Sequence, residues 1–308
     1  MKINKFNFKK FKRKMLGFKF SDGWLFKFTI YFLLIIIGFV YLYPILHMVS
    51  YSFQSLGDLL NPMVNKIPTR LYLNNYADAW RTLKYADTFF KSLLVTLVPA
   101  LVQTLIASLV GYGFAKFDFP LKKMWMALLI ATYIIPPQVT MIPKYVFFND
   151  AGILGSIWSI ILPATFGQGL NSAIFILIFY QFYKMLPTVL DEAAQIDGAS
   201  RLYIYFKIAI PLSIPSFITS FLFSFVWYWN ETYISTLFLG NNFKTLQMML
   251  ANFVSEYSST IGGGTGDYVN EAIKMAATVL IILPMILVYF VLQRWFIEGI
   301  DKAGITGE

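Results

Sequence analysis

The 308 residues contain no cysteine, and histidine occurs once, at His47. Disulfides, thiolate metal sites and histidine-rich metal sites are thereby excluded, and the redox compartment is left unmarked. Charge is scarce too: 13% of residues are charged and 57% are hydrophobic, where a soluble domain carries roughly 25% charged residues. Mean hydropathy is +0.62. A soluble core cannot hide that much apolar surface, so the excess faces lipid. The phosphate-binding pattern G-x-x-x-x-G-K-[ST] is missing, and the glycines around Gly262 lack its lysine and a preceding strand. The chain therefore does not bind ATP by that route, and it has no cofactor or metal site of its own. Without a His cluster, Cys or paired membrane acids, an integral-membrane enzyme is disfavoured and no catalytic residue is assigned.

The charge that is present is unevenly placed. Net charge is +9, and Lys2, Lys5, Lys9, Lys10, Lys12, Arg13, Lys14 and Lys19 precede the first acid, Asp22. A basic block directly before an apolar run holds an N-terminus in the cytoplasm and attracts anionic lipid, so we read residues 1–23 as a cytoplasmic segment and expect no nucleic acid partner. The run that follows, from Trp24 to about Phe53, is bulky throughout and has no small-residue cleavage site, which marks a retained span rather than a signal peptide.

Six runs are long enough to cross a bilayer, near 24–52, 89–114, 123–142, 156–180, 211–239 and 274–296. They are continuously apolar, without the short alternating segments of a barrel, so the expected fold is an all-α membrane protein with its permease domain over 24–298. Lys116, Lys122, Lys123, Lys184, Arg201, Lys207, Arg294 and Lys302 all fall on the side of the basic N-terminus, which makes both termini cytoplasmic, including the tail 299–308. Lys66, Arg70, Arg81 and Lys84 oppose that assignment from the first connection, where Asp58, Asp78 and Asp87 dilute them. Trp24, Tyr41, Tyr43, Trp125, Trp158 and Trp295 sit near run ends, as an interfacial belt does. No internal duplication is found.

Two connections are more than turns: an internal one over 184–210 and an external one over 241–273. The internal loop parses as two short helices. Pro187 suits a first helical turn, Asp191 and Glu192 follow near the positive dipole end, Asp197-Gly198 stops the helix, and Ser200 is a good N-cap for a second helix reaching Pro211. Ala193, Ala194 and Ala199 leave a small-residue face suited to close contact with another protein.

Glu192-Ala-Ala, three residues, Gly198, nine residues and then Ile208-Ala-Ile-Pro211 resemble the EAA loop of ABC-importer permeases, with Ile210 where leucine is usual. The wording Asp-Glu-Ala-Ala-x-Ile-Asp-Gly-Ala is similar to the carbohydrate-uptake branch, in particular the smaller, six-span permease subunit of maltose-type importers. The likeness extends to Tyr112-Gly-Phe-Ala-Lys116, to Pro136-Pro137 with Pro143, to Trp227-Tyr-Trp-Asn-Glu231 and to the stretch from Phe296-Ile-Glu-Gly299. The end, Thr306-Gly307-Glu308, departs from the family's Lys-Gly close.

The resemblance implies a non-catalytic permease subunit of a sugar importer in the bacterial cell membrane. It pairs with a homologous second permease, a dimer of ATPase subunits that uses ATP and Mg, and an extracytoplasmic solute-binding protein. By the same implication Glu192, Ala193, Ala194, Asp197, Gly198 and Ala199 dock the ATPase, and the external loop at Gly262, Gly263 and Gly264 touches the binding protein.

Polar residues inside a span are costly, so Asn230 and Glu231, with Trp227 and Tyr228, are candidates for the substrate pathway; packing between helices is the plainer alternative. Pro136, Pro137 and Gln138 break the third span and free carbonyls that need a cavity or a partner, or else merely kink it. An ion-coupled secondary transporter is the alternative function, but it needs coupling carboxylates or symmetric half-helices, and Glu231 is the one embedded acid in sight.

Overall fold

The computed structural model describes residues 23–64, 66–261 and 269–304, with side chains as far as residue 295. The basic block, Gly262, Gly263, Gly264 and the last four residues lie outside the described residues. Among those described, every regular element is helical. They divide into two compact units, one containing 23–76 and 270–279, the other 77–261 and 280–304.

In the first unit, α1 (Trp24–Ser52) runs 29 residues, about 43 Å at 1.5 Å per residue and ample for a hydrocarbon core of roughly 30 Å. It is apolar all round, and Ser52 is its one buried residue. Such a helix is a lipid or partner surface rather than a soluble one. The chain leaving it is pinned by polar contacts: Asn75 Nδ2 donates to the carbonyls of Ser52 (2.9 Å) and Gln54 (2.8 Å), and Ser52 Oγ and Tyr76 Oη share a bond of 2.7 Å. A capping box of Ser55 and Asp58 starts α2 (Leu56–Leu60). Thr69 Oγ1 donates to Asp58 Oδ1 at 2.6 Å. That hydroxyl, more than the backbone and side chain of Ser55, holds the Asp58 carboxyl below its ordinary pKa.

The second unit begins within α3 (Asn74–Leu83), at Ala77, and is built on α4 (Tyr85–Lys116). This helix sorts its residues by face. Leu94, Leu101, Leu105 and Leu109 are exposed, while Ala100, Thr104, Ala107, Ser108 and Gly111 are buried. Small residues let helices approach closely where no hydrophobic effect drives them together. At Gly111 an added Cβ would stand 2.7 Å from Phe179 Cβ and 2.9 Å from the Tyr180 nitrogen. The helices packed most extensively on α4 are α7 (Trp158–Thr165), α8 (Ser172–Met185) and α12 (Ile214–Asn230).

Three helices among the described residues are long and apolar enough to cross a membrane, α1, α4 and α16 (Glu271–Gly304, searched to Trp295). Three more crossings are possible by length and composition only if bent helix pairs each count as one. The expected span 123–142 is such a pair, α5 (Lys122–Ile134) and α6 (Pro137–Asp150), bent by 96°. The cause is Pro136-Pro137: Ile135 is driven to an extended conformation (ψ 120°), and the helix restarts with Pro137 in its first turn.

The expected span 156–180 is interrupted as well, because Gly167 (φ 70°) and Asn171 (φ 53°) turn the chain between α7 and α8. The run over 211–239 divides at Glu231, extended at ψ 115°, into α12 and α13 (Tyr233–Leu239). In the external connection lie α14 (Leu246–Ala251) and α15 (Phe253–Thr260), with Leu246 N–H donating to Ser92 Oγ of α4 at 2.7 Å and Lys244 paired with Glu256.

Candidate coupling loop and translocation cleft

The loop after α8 folds as α9 (Thr188–Ile196) and α10 (Arg201–Ile204), followed by a π turn at Tyr205–Ala209 and the single turn α11 (Ile210–Leu212). Pro187 is the N-cap of α9, one position before the first turn where the sequence put it. Gly198 sits at φ +82°, a left-handed geometry that favours glycine, and its N–H donates to Gln195 O at 3.0 Å while Ala199 N–H donates to Ala194 O at 2.9 Å. Ser200 Oγ accepts from Tyr203 N–H at 3.2 Å, capping α10.

Glu192, Ala193, Asp197 and Gly198 are exposed, Ala194 and Ala199 half-buried, and α9 has no buried residue. Apolar neighbours share that exposure, Ile196 at 86% and Val189 at 67%. A helix that shows carboxylates, alanines and bulky aliphatics together is suited to a protein partner.

Beneath this surface the loop is anchored. Lys116 Nζ lies 2.8 Å from Asp191 Oδ2, with side chains only 8% and 15% exposed, and also donates to Leu186 O at 3.1 Å. Sequence reasoning gave Asp191 to the helix dipole and missed the pair, because 75 positions of chain hide it. Further in, Ser108 Oγ bonds the Tyr183 hydroxyl (2.7 Å) and the Tyr205 hydroxyl (3.0 Å), and Tyr183 Oη bonds Ser213 Oγ (3.0 Å). Tyr112 packs edge-on to Tyr183, with ring centres 5.3 Å apart. This knot joins α4, α8 and the π turn.

At the opposite end of α8, beside Gln103 in the middle of α4, lies a cleft of about 480 Å3. Its walls come from the α5–α6 bend, the turn before α8 and the α12–α13 break. The structure brings together Pro137, Gln138, Tyr228 and Glu231 there, but not Pro136, Trp227 or Asn230. Trp227 instead packs on Phe175 (5.2 Å between centres), and Asn230 Nδ2 donates to Val226 O of its own helix at 2.9 Å. Tyr228 is buried; its hydroxyl donates to Gln103 Oε1 at 2.9 Å and accepts from Leu170 N–H at 3.1 Å. Gln103 Nε2 in turn donates to Leu170 O at 2.8 Å and Ser224 Oγ at 3.2 Å.

Gly169 makes this approach possible, since a Cβ there would meet Gln103 Oε1 at 2.1 Å and Tyr228 Oη at 2.4 Å. Lys144, Gln168, Asn171 and Ser172 also line the cleft and were not singled out from the sequence. A lone lysine inside an apolar run, as Lys144 is after Pro143, was the signal available for one of them.

A family described as "Binding-protein-dependent transport system inner membrane component" matches residues 103–302, which hold both the cleft and the coupling loop. The chain belongs to this family. It is thus an inner-membrane, multi-pass transport component rather than a catalyst, and this permease family implies a binding protein and an ATPase as partners. The permease is 31% identical to the polygalacturonan/rhamnogalacturonan transport system permease protein YtcP of Bacillus subtilis, over 92% of this chain and 99% of that protein. It is 28% identical to the melibiose/raffinose/stachyose import permease protein MelC of the same species, over 88% of this chain and 94% of MelC. The lactose transport system permease protein LacG of Rhizobium radiobacter is also 28% identical, over 87% and 93%. A crystal structure of a bacterial ABC transporter involved in the import of the acidic polysaccharide alginate contains a chain of the same fold, at TM-score 0.70 and 22% identity, covering 88% of this chain and 96% of that one.

Proposed function

We propose that the chain forms one half of the membrane pathway of an ATP-driven saccharide importer, with a homologous second permease supplying the other half. The observation that carries this reading is the pairing of two features on one pair of helices. An exposed, carboxylate- and alanine-bearing knuckle follows the C-terminal end of α8, where α4 also ends at Lys116, and a polar, tyrosine-bearing cleft opens at the N-terminal end of α8 beside Gln103 of α4. The saccharide relatives support the cargo class, and the cleft's amides, hydroxyls and phenol rings suit sugar hydroxyls and faces.

In this reading both termini and the α9–α10 knuckle are cytoplasmic. Glu192, Ala193, Ala194, Asp197, Gly198 and Ala199 seat in a dimeric ATPase that binds ATP and Mg. Nucleotide-driven closure moves the knuckle, and Lys116–Asp191 with the tyrosine knot carries the movement into α4 and α8. The region of Gly262, Gly263 and Gly264 faces the extracytoplasmic binding protein. Ion-coupled secondary transport is not favoured, since Glu231 is engaged in capping α13 through a 2.6 Å bond from Ile234 N–H.

The test is reconstitution with the second permease, ATPase and binding protein. ATP-dependent saccharide uptake is expected, and Glu192→Arg should lose both ATPase co-purification and uptake. Uptake that follows an ion gradient without the ATPase would overturn the reading, as would full ATPase retention and uptake in Glu192→Arg.

A further inference from the structure

The loop that leaves α1 does not stand away from it. Ser50 Oγ donates to the Lys66 carbonyl, and the Lys66 ammonium lies 5.1 Å from the centre of the Tyr43 ring. Tyr43 precedes Ser50 in the same helix, by about 10 Å along its axis at 1.5 Å per residue. Two further bonds close the loop on itself: Tyr72 N–H donates to Phe53 O at 3.0 Å, and Thr69 Oγ1 reaches Asp58. The segment is thus folded back and held against the last turns of α1, all within the first unit. At about 43 Å, α1 fills a bilayer together with its headgroup layers, roughly 40–45 Å, so those last turns stand at headgroup level.

What the segment shows at that depth is apolar and basic. Met63 is 92% exposed and Ile67 81%, and Leu60 and Leu71 are exposed as well. Lys66 and Arg70 are exposed too and enter no ion pair among the described residues. Asp58, the one acid between Phe53 and Tyr72, is buried and already bonded. Irregular backbone does not enter hydrocarbon where lipid surrounds it, which leaves the interface: backbone among the headgroups, apolar side chains toward the acyl chains, and long cations bent back to the phosphates. A protein docking from the aqueous side would meet the end of α1 first, not a flank that reaches back to Tyr43. We propose that the loop joining α1 to α3 is an interfacial lipid anchor. Leu60, Met63, Ile67 and Leu71 enter the acyl boundary, and Lys66 and Arg70 hold the phosphates of anionic headgroups. The orientation given above makes this the outer leaflet.

The chain has no cysteine, so Met63→Cys carries a single NBD fluorophore. The labelled chain is assembled with cysteine-free partner subunits in nanodiscs of equal parts phosphatidylcholine and phosphatidylglycerol, with an acyl-chain spin label on one lipid or the other. Blue-shifted emission is expected, quenched at least about twofold more by labelled phosphatidylglycerol than by labelled phosphatidylcholine. Lys66→Gln with Arg70→Gln should abolish that difference and leave the blue shift in place. Water-like emission would overturn the proposal, and so would blue-shifted emission that neither lipid quenches, which would give the loop to a protein neighbour. Equal quenching by the two lipids, or a phosphatidylglycerol preference that survives the double variant, would overturn it as well. The readout needs no transport and covers both leaflets, so saccharide import and the assigned orientation stand or fall separately.

Discussion

Lys116, the last residue of α4, and Asp191, in the first turn of α9, meet at 2.8 Å with both side chains largely shielded from water. The contact ties the longest helix of the second unit to the helix that carries Glu192 and the two alanines. Removing one partner of a buried pair costs about 3–5 kcal/mol, because the other charge is left uncompensated. Lys116→Met should therefore loosen α9 and lower ATP-driven uptake by at least about tenfold, the equivalent of ~1.4 kcal/mol. The charge-exchanged double variant Lys116→Asp with Asp191→Lys should recover part of it. Uptake and ATP hydrolysis measured together check this, since hydrolysis should fall less than transport.

Gly111 and Gly113 make a matched pair. A Cβ at Gly111 would collide with Phe179 and the Tyr180 backbone, whereas one at Gly113 would meet nothing within 4 Å. Gly111→Val should separate α4 from α8 and cost about 1–3 kcal/mol or more, as overpacking does. Gly113→Ala should be neutral. Thermal melting of the detergent-solubilised complex distinguishes the two.

Tyr228→Phe removes a hydroxyl and strands Gln103 Oε1 and Leu170 N–H. Each unsatisfied buried group costs about 1–3 kcal/mol. The turn before α8 should lose hydrogen-exchange protection near Leu170, and Gly169→Ala should have the larger effect because its Cβ displaces both network atoms.

Asp58 offers a pH test outside the spans. Its folded pKa is depressed, chiefly by the Thr69 hydroxyl. Stability from this carboxylate is therefore fully present above the unfolded pKa, about 3.9, and is lost as pH falls through the lower folded value. Exchange protection over 55–72, corrected for intrinsic rate, should persist through pH 5 and decline below about pH 4. Thr69→Val should move that decline to higher pH.

Much of this architecture could be read from the residues. Composition and long apolar runs made an all-α membrane protein the expectation, and the family match bears that out. The α9–Gly198–Ser200 turn was legible because capping chemistry is local, encoded within a few positions. What stayed hidden depends on distant partners. Nothing near Tyr228 announces that Gln103, 125 positions away, takes its hydroxyl. Trp227 looked as available as Tyr228, and only the packing of α12 on α8 turned one indole toward Phe175. Continuous apolarity also masked the breaks at Gly167–Asn171 and Glu231, since hydropathy reports solvent preference and not backbone direction.

The four hydroxyls of Ser108, Tyr183, Tyr205 and Ser213 set the gearing between knuckle and cleft. If α8 slid along α4 by one turn, Tyr183 would leave Ser108 by about 5.4 Å, and hydrocarbon offers no substitute partner. Axial slippage is thus the disfavoured movement and joint swivelling the permitted one. A pull at one end of α8 would then reach Ser172 at the other as torque, turning the wall of the cleft.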